Sequence, residues 1–186
     1  MRIIAGTYAS RKLVTLKGDA TRPTLDKVKE AVFSSLGGFF QGGRCLDLYA
    51  GSGAIGLEAL SRGMDEIDFV DASAAAIRII KENIENLGVI EMTHVYKMRD
   101  LNALSFFAKE KRKYQLVYLD PPYEKQHNEK VLELLSDLQL LKDDGIVVVE
   151  AKKEDELKEV IKTLRCYKTA TYGITTIHYY RKEVFL

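Results

Sequence analysis

The sequence predicts an α/β fold: a mainly parallel sheet with helices on both faces, an antiparallel hairpin at the C-terminal end, and a small β-hairpin plus helix in front. Three observations lead there. From residue 45 onward, short apolar runs alternate with amphipathic stretches of helical period. Gly63 and Gly88 stop two of those stretches. The last two β-rich runs are joined only by a short link around Gly173, too short for a crossover, so they pair antiparallel.

Residues 2–5 and 11–16 predict the leading hairpin, with Gly6 near its turn. Thr21-Arg22-Pro23-Thr24 stops it, and Thr24 is placed to N-cap a helix through about Phe39, striped by Val28, Val32 and Leu36. Cys45–Tyr49 reads as a strand and 54–62 as a helix ended by Gly63. A strand over 67–71 precedes a helix over 74–87, with Ile77, Ile80, Ile84 and Leu87 on one face. Then come a strand at 94–97, a helix at 101–109, a strand at 116–119 and a helix at 128–138 carrying Val131, Leu134, Leu135 and Leu138. A strand at 146–150 is followed by a predicted helix over 154–164, whose acidic first turn suits the helix dipole. Strands near 166–172 and 176–182 finish the chain. With 186 residues and no low-complexity linker, one domain is expected across 1–186. The hairpin and helix form an extension over 1–43, and 44–186 is the core.

Composition narrows the class. At 46% hydrophobic and 30% charged residues, the chain is typical of soluble globular proteins. No apolar run approaches a membrane span, so no membrane partner is expected. The opening Met1-Arg2-Ile3-Ile4-Ala5-Gly6 lacks the form of a signal peptide. Two cysteines and three unspaced histidines give neither a disulfide framework nor a metal site, and Cys45 reads as a buried small hydrophobe. A reducing cytoplasmic setting is the expectation. The net charge is only +1, but residues 1–44 carry eight Lys or Arg against three acids. Such a basic first quarter either orients the protein toward a polyanion or is a plain solvated surface.

Two motifs carry chemistry. The first is Asp47-Leu48-Tyr49-Ala50-Gly51-Ser52-Gly53-Ala54-Ile55-Gly56, a G-x-G-x-x-G between strand and helix, with Asp71 twenty residues after Gly51. Alone it matches a dinucleotide fingerprint. Asp47, at the mouth of the loop, argues against a pyrophosphate and for a ligand with a cationic amine. S-adenosylmethionine (SAM) has an ammonium, a sulfonium and no phosphate, and Asp71 is placed to take its ribose hydroxyls. The plain structural account is a tight turn without a ligand. The second motif is Leu116-Val117-Tyr118-Leu119-Asp120-Pro121-Pro122-Tyr123. Two rigid prolines hold the carbonyls in a set direction beside the Asp120 carboxylate, and Tyr123 offers an aromatic face. Such a cluster suits a planar ring with an exocyclic amine, with Tyr123 stacking on it. The alternative is a simple turn leaving a strand.

Asp47-x-x-x-Gly51-x-Gly53 followed by Asp120-Pro121-Pro122-Tyr123 resembles the class I SAM-dependent amino-methyltransferases, which are Rossmann-like. Arg2-Ile3-Ile4-Ala5-Gly6, Arg11-Lys12-Leu13, Arg22-Pro23-Thr24-x-Asp26-Lys27-Val28-Lys29-Glu30 and Leu57-Glu58-Ala59-Leu60-Ser61-Arg62-Gly63 narrow the resemblance to the RsmD family. That family methylates the exocyclic N2 of one guanine in bacterial 16S ribosomal RNA. Lys27 and Lys29 stand where Arg is expected, and Asp71 where the longer Glu is expected. The resemblance implies that Asp47, Gly51 and Gly53 lie against the methionine part of SAM, that Tyr49 and Ala50 also bind the cofactor, and that Asp71 holds the ribose. It implies that Arg99 and Asp100 flank the adenine, although Asp100 can equally N-cap a helix from Leu101. Arg22 and Thr24 sit where the family's N-terminal helix covers the cofactor. Arg2, Arg11 and Lys12 become candidates for RNA phosphate contacts. Asp120, Pro121, Pro122 and Tyr123 are the implied catalytic set, with S-adenosylhomocysteine (SAH) as product and no metal. The implied partner is 16S rRNA or the assembling small ribosomal subunit, with no obligate protein partner.

Competing classes are a DNA adenine-N6 or cytosine-N4 methyltransferase, which 186 residues leave no room to equip with a recognition domain, and a protein-glutamine methyltransferase, for which Asn is expected at 120. A nicotinamide-dependent oxidoreductase and a catalytically silent RNA-binding module are the readings from other classes.

Overall fold

The computed structural model describes residues 1–17, 23–122 and 125–184, with Pro23 and Thr24 described by backbone alone. The chain gathers into two compact units, Met1–Met98 and Arg99–Leu186.

The first unit holds α1 (Pro23–Ser35), β1 (Arg44–Leu48), α2 (Ala54–Ser61), β2 (Glu66–Asp71), α3 (Ala74–Leu87) and β3 (Thr93–Lys97). Its strands lie parallel in the order β3-β2-β1, with Cys45 opposite Ile67 and Phe69 opposite Val95. Cys45–Leu48 are all buried, the continuous run that a covered parallel strand requires. α3 has the predicted bounds: Ser73 caps it by accepting from the Ala76 N–H at 3.3 Å, and Gly88 ends it at φ 70°.

Two expectations for the leading segment need correction. The hairpin over 2–5 and 11–16 reduces to one antiparallel bridge, Arg2 with Lys12. The reason is competition for backbone groups. The N–H groups of Ile4 and Ala5 donate to the Glu58 carboxylate at 2.9 and 3.2 Å, and Val14 exchanges two hydrogen bonds with the Asn83 amide. The first helix starts at Pro23, so Thr24 lies in its first turn and is not its cap; Pro is well suited to that opening position. It stops at Ser35 and not near Phe39, because Gly37 and Gly38 take φ 96° and 84°.

Glu58 anchors this arrangement. It is fully buried, accepts from Arg62 Nε at 2.8 Å, and lies 3.4 Å from Lys29 Nζ. Burial lowers the Lys29 pKa, and the charges of Glu58 and Asp26 oppose that fall. Gly6 is required where the N-terminal segment meets α2: at φ 91°, a Cβ there would sit 1.8 Å from the Ser61 carbonyl oxygen.

The second unit holds α4 (Asp100–Lys109), β4 (Tyr114–Leu119), α5 (Lys125–Asp137), β5 (Leu141–Lys152), β6 (Val160–Ile161), β7 (Leu164–Tyr172) and β8 (Thr175–Lys182). The order is β4-β5-β8-β7-β6; β4 and β5 are parallel and the other pairs antiparallel, including the predicted C-terminal hairpin. The helix predicted over 154–164 is absent. Val160 and Ile161 pair with Arg165 and Leu164 instead, turning through Lys162 at φ 55°. Ile161 and Leu164 fit a helical stripe and equally the two arms of this hairpin, where they face each other and are both buried.

Candidate active site

In the first unit the loop between β1 and α2 is held in an unusual backbone path. Tyr49, Gly51 and Gly53 have φ of 70°, 58° and 81°. For the two glycines this costs little, whereas Tyr49 stores strain of ~1–2 kcal/mol. The Ala50 N–H donates to the Val70 carbonyl at 2.9 Å, and the Gly53 N–H to the Ala50 carbonyl at 2.8 Å. Asp71, at the end of β2, accepts from the Gly51 N–H at 2.9 Å through Oδ2 and from the Ser73 N–H at 2.8 Å through Oδ1. Each carboxylate oxygen keeps a further lone pair, and the residue is half-buried. Asn83 was not singled out by sequence. Its amide donates at 2.9 Å to the Ser52 carbonyl in the loop, from within the otherwise apolar stripe of α3. That polar residue between Ile80 and Ile84 was the signal.

Asp47 is where the structure says most. It is 2% exposed, and its Oδ2 accepts from the Gly56 N–H at 2.9 Å, in the first turn of α2. The start of that helix is therefore already met by a carboxylate. A dinucleotide needs the same N–H groups for its pyrophosphate. Gly51 has nothing within 4 Å of the place a Cβ would occupy, so the loop's outer side is open. Gly53 and Gly56 back onto Phe69, with a Cβ at 3.3 and 2.3 Å from its Cε1. Only glycine at 56 lets α2 pack so closely on β2.

Arg2, Arg11 and Lys12 are all exposed. The bridge sets Arg2 beside Lys12, while Arg11 Nη2 donates to the Asn86 carbonyl at 2.6 Å.

In the second unit Asp120 follows the last residue of β4, where Leu119 lies level with Val149 of β5. Asp120 and Pro122 are exposed and Pro121 is half-buried. Next to this end of the strand, the Tyr118 hydroxyl donates to Glu150 Oε1. Tyr123 and Arg22 lie outside the described residues, as does the Thr24 side chain. Arg99 is exposed and stands as the N-cap of α4 by backbone only. The helix begins at Asp100, one residue before the expected start at Leu101, so Asp100 is its first residue and not its cap. Asp100 Oδ1 accepts from the Leu101 N–H at 2.8 Å, and Oδ2 lies 2.5 Å from His127 Nε2 on α5. His127 was not picked out by sequence, where it is one polar residue on an amphipathic helix; its place four residues after Tyr123 was the only hint. Among the described residues, no cluster of His, Cys, Asp or Glu could hold a metal ion, and no helix is long and apolar enough to cross a membrane.

Comparison with known proteins gives consistent relatives. The family described as "Conserved hypothetical protein 95" matches residues 1–181. A Bacillus subtilis (strain 168) protein provisionally named rRNA methyltransferase YlbH is 41% identical over 98% of this chain and 100% of its own length. The ribosomal RNA small subunit methyltransferase D of Escherichia coli (strain K12) is 31% identical over 98% of this chain and 90% of its own. A solved structure of an Escherichia coli protein provisionally named methyltransferase yhhF superposes with a TM-score of 0.84, at 31% identity over 98% of both chains.

Proposed function

The chain belongs to the RsmD family, and from that premise we propose that it transfers a methyl group from SAM to the exocyclic N2 amine of a guanine in 16S rRNA. The observation that carries the cofactor choice is Asp47 on the Gly56 N–H. It places negative charge at the helix start, where NAD would put its own, and favours a ligand that brings an ammonium. The residues fit that ligand. Asp71 has unused lone pairs for two vicinal hydroxyls, and the outer side of the loop at Gly51 is open. SAM supplies, when bound, an electrophilic methyl group on a sulfonium.

The chain's own residues then have assignable tasks. Tyr49, Ala50, Gly51 and Gly53 offer backbone to the methionine end, and Asp71 accepts from the ribose. Asp100 accepts from the adenine amino group, steadied by His127 and by its own helix N-terminus. Asp120 and the Pro121 carbonyl accept the protons of the guanine amine. That nitrogen's lone pair is delocalised into the ring, so holding its protons favours a tetrahedral nitrogen with the pair available for attack. The gain is positioning and electrostatics. Asp120 need not be a strong base, since the proton becomes acidic as the methyl bonds. Tyr123 stacks on a base that is unpaired or flipped out. Arg2, Lys12 and Arg11 meet phosphates, with 16S rRNA or the assembling small subunit as partner in the cytoplasm. The chain works as one methyltransferase domain, 1–43 extending a core over 44–186.

The test is methyl transfer itself. The protein incubated with methyl-labelled SAM and undermethylated small ribosomal subunits is expected to label one guanine at N2. Label on adenine or cytosine of DNA, or none on RNA, overturns the reading.

A further inference from the structure

The C-terminal hairpin carries a charge pattern that the methyl-transfer chemistry does not use. Residues 164–182 contain Arg165, Lys168, Arg181 and Lys182 and not one Asp or Glu, in a chain whose net charge is only +1. The strand register sorts these side chains. Arg165 lies opposite Arg181 and Lys168 opposite Tyr179, so these three cations share one face of the sheet with Tyr179, whereas Lys182, opposite Leu164, belongs to the other. A register shift between Cys166 and Lys168 brings Tyr167 to the same place. The Arg181 guanidinium stacks 4.5 Å from the Tyr167 ring centroid, and Lys168 Nζ lies 5.6 Å from that of Tyr179. Tyr167 is still 40% exposed. Arg165, Tyr167, Arg181 and Lys182 line a groove of about 360 Å³ with Glu183 and Val184.

The acids that meet these cations come from outside the hairpin. Arg165 pairs with Glu183 at 2.5 Å and Glu159 at 3.2 Å, and Lys182 with Asp143 at 2.9 Å. These are surface pairs, weak and screened by salt, and a polyanion can displace them. Arg181 has no carboxylate ion pair among the described residues; it meets Tyr167, through the ring and the hydroxyl. Charge on an edge strand can serve to block sheet-to-sheet association. That accounts for Lys168 on β7, but not for Arg181, which sits on β8 between two neighbours, nor for an exposed tyrosine stacked under it.

We propose that this face of β7 and β8 is a second RNA-contacting surface, taking a single-stranded segment with a base stacked on the Tyr167–Arg181 pair and phosphates on Arg165 and Lys168. Basic side chains interleaved with an exposed aromatic are the equipment of single-strand binding. The surface extends RNA contact beyond the Arg2–Lys12 bridge and rests on the reading that the substrate is RNA.

The test compares wild type with R165Q/K168Q/R181Q, Y167A and Y167F. It measures binding of a fluorescein-labelled single-stranded RNA by anisotropy across salt, SAH affinity, and KM and kcat on undermethylated subunits. The triple variant is expected to bind RNA at least tenfold more weakly, with a log–log salt slope reduced by about 0.7 per lost phosphate contact. Its KM should rise while kcat and SAH affinity hold. Y167A is expected to lose at least fivefold in RNA affinity and Y167F to keep it, because stacking needs only the ring. Unchanged RNA affinity and slope in the triple variant, with SAH still bound, overturn the proposal while leaving the methyltransferase reading intact. RNA binding that depends on Arg181 in a protein that methylates no RNA would uphold the surface and overturn the function instead. Polyglutamate bound as tightly as RNA, with Tyr167 dispensable, would make the face an acidic-protein dock and also overturn the assignment.

Discussion

Gly56 shows how one missing side chain serves packing where another serves a ligand. A Cβ at 56 would meet Phe69 Cε1 at 2.3 Å and Ile67 Cγ2 at 2.7 Å, both on β2, with ordinary backbone angles at the glycine itself. Gly51 is the reverse case: φ is 58°, and no atom lies within 4 Å of its added Cβ. Gly56→Ala is therefore expected to lower unfolding free energy by ~1–3 kcal/mol through overpacking. In Gly51→Ala the left-handed backbone costs ~1–2 kcal/mol of stability, and the methyl enters the open side of the loop, so SAH affinity should fall as well, which Gly56→Ala should spare. Urea unfolding and SAH calorimetry on both variants separate the two roles. A Gly56→Ala protein as stable as wild type would mean that α2 shifts freely on β2. Asp47 is legible at this scale only in part. Its carboxylate at a glycine loop signalled against pyrophosphate, but its bond to the Gly56 N–H could not be read from spacing.

Elements here are fixed as much by buried polar groups as by apolar stripes. Glu58 ties α2 to the N-terminal segment through the amides of Ile4 and Ala5 and pairs with both Lys29 and Arg62, all within the first unit. Glu58→Ala takes that carboxylate from two buried cations and leaves Lys29 with Asp26 at 3.9 Å, a change that costs ~3–5 kcal/mol in comparable settings. The urea midpoint should fall accordingly, and the Ile4 and Ala5 amides should lose hydrogen-exchange protection. A loss under ~1 kcal/mol would show that the segment is held by packing alone. β8 carries a different device. His178 is 6% exposed, and its Nε2 is buried with no hydrogen-bond partner among the described residues. Burial lowers its pKa below the usual 6.5. The unfolded chain then binds a proton more readily than the folded one. This contribution to stability is complete above about pH 6.5 and is lost as pH falls from there through the folded pKa. His178→Gln should flatten that part of the pH–stability curve between about pH 7 and 5, read as urea midpoints. An identical curve in the variant would assign the acid slope to other groups.

For the whole molecule, the alternation of strands and helices was legible because covered parallel strands are apolar runs and their helices carry one clean stripe, as α3 does from Ala74 to Leu87. The misreadings have different causes. Residues 154–164 satisfy the helical period, yet Ile161 and Leu164, three apart, pair across a tight hairpin, a spacing that helix and turn share. The leading hairpin alternates properly, yet its amides go to Glu58, a long-range partner that no local window contains. Of the candidate site, the motif residues were legible, whereas Asn83 and His127 were not, since their partners lie far off in the chain: Val14 and Ser52 for Asn83, Asp100 for His127. Ligand binding is the property that the molecule reports as one. A ligand held only by the folded chain stabilises it by ~2.7 kcal/mol at a hundredfold excess over Kd. At ~2–4 °C per kcal/mol for a chain of this size, SAH should raise Tm by ~5–10 °C. NADP should leave it unmoved, because Asp47 already holds the Gly56 N–H. Asp120 is exposed, so Asp120→Ala should change unliganded stability by no more than ~0.5 kcal/mol. It should show the same SAH shift as wild type while methyl transfer to RNA is lost. An NADP shift without an SAH shift would reverse the cofactor choice. Wild-type turnover in Asp120→Ala would remove the carboxylate from the chemistry and leave the amine to be held by other groups.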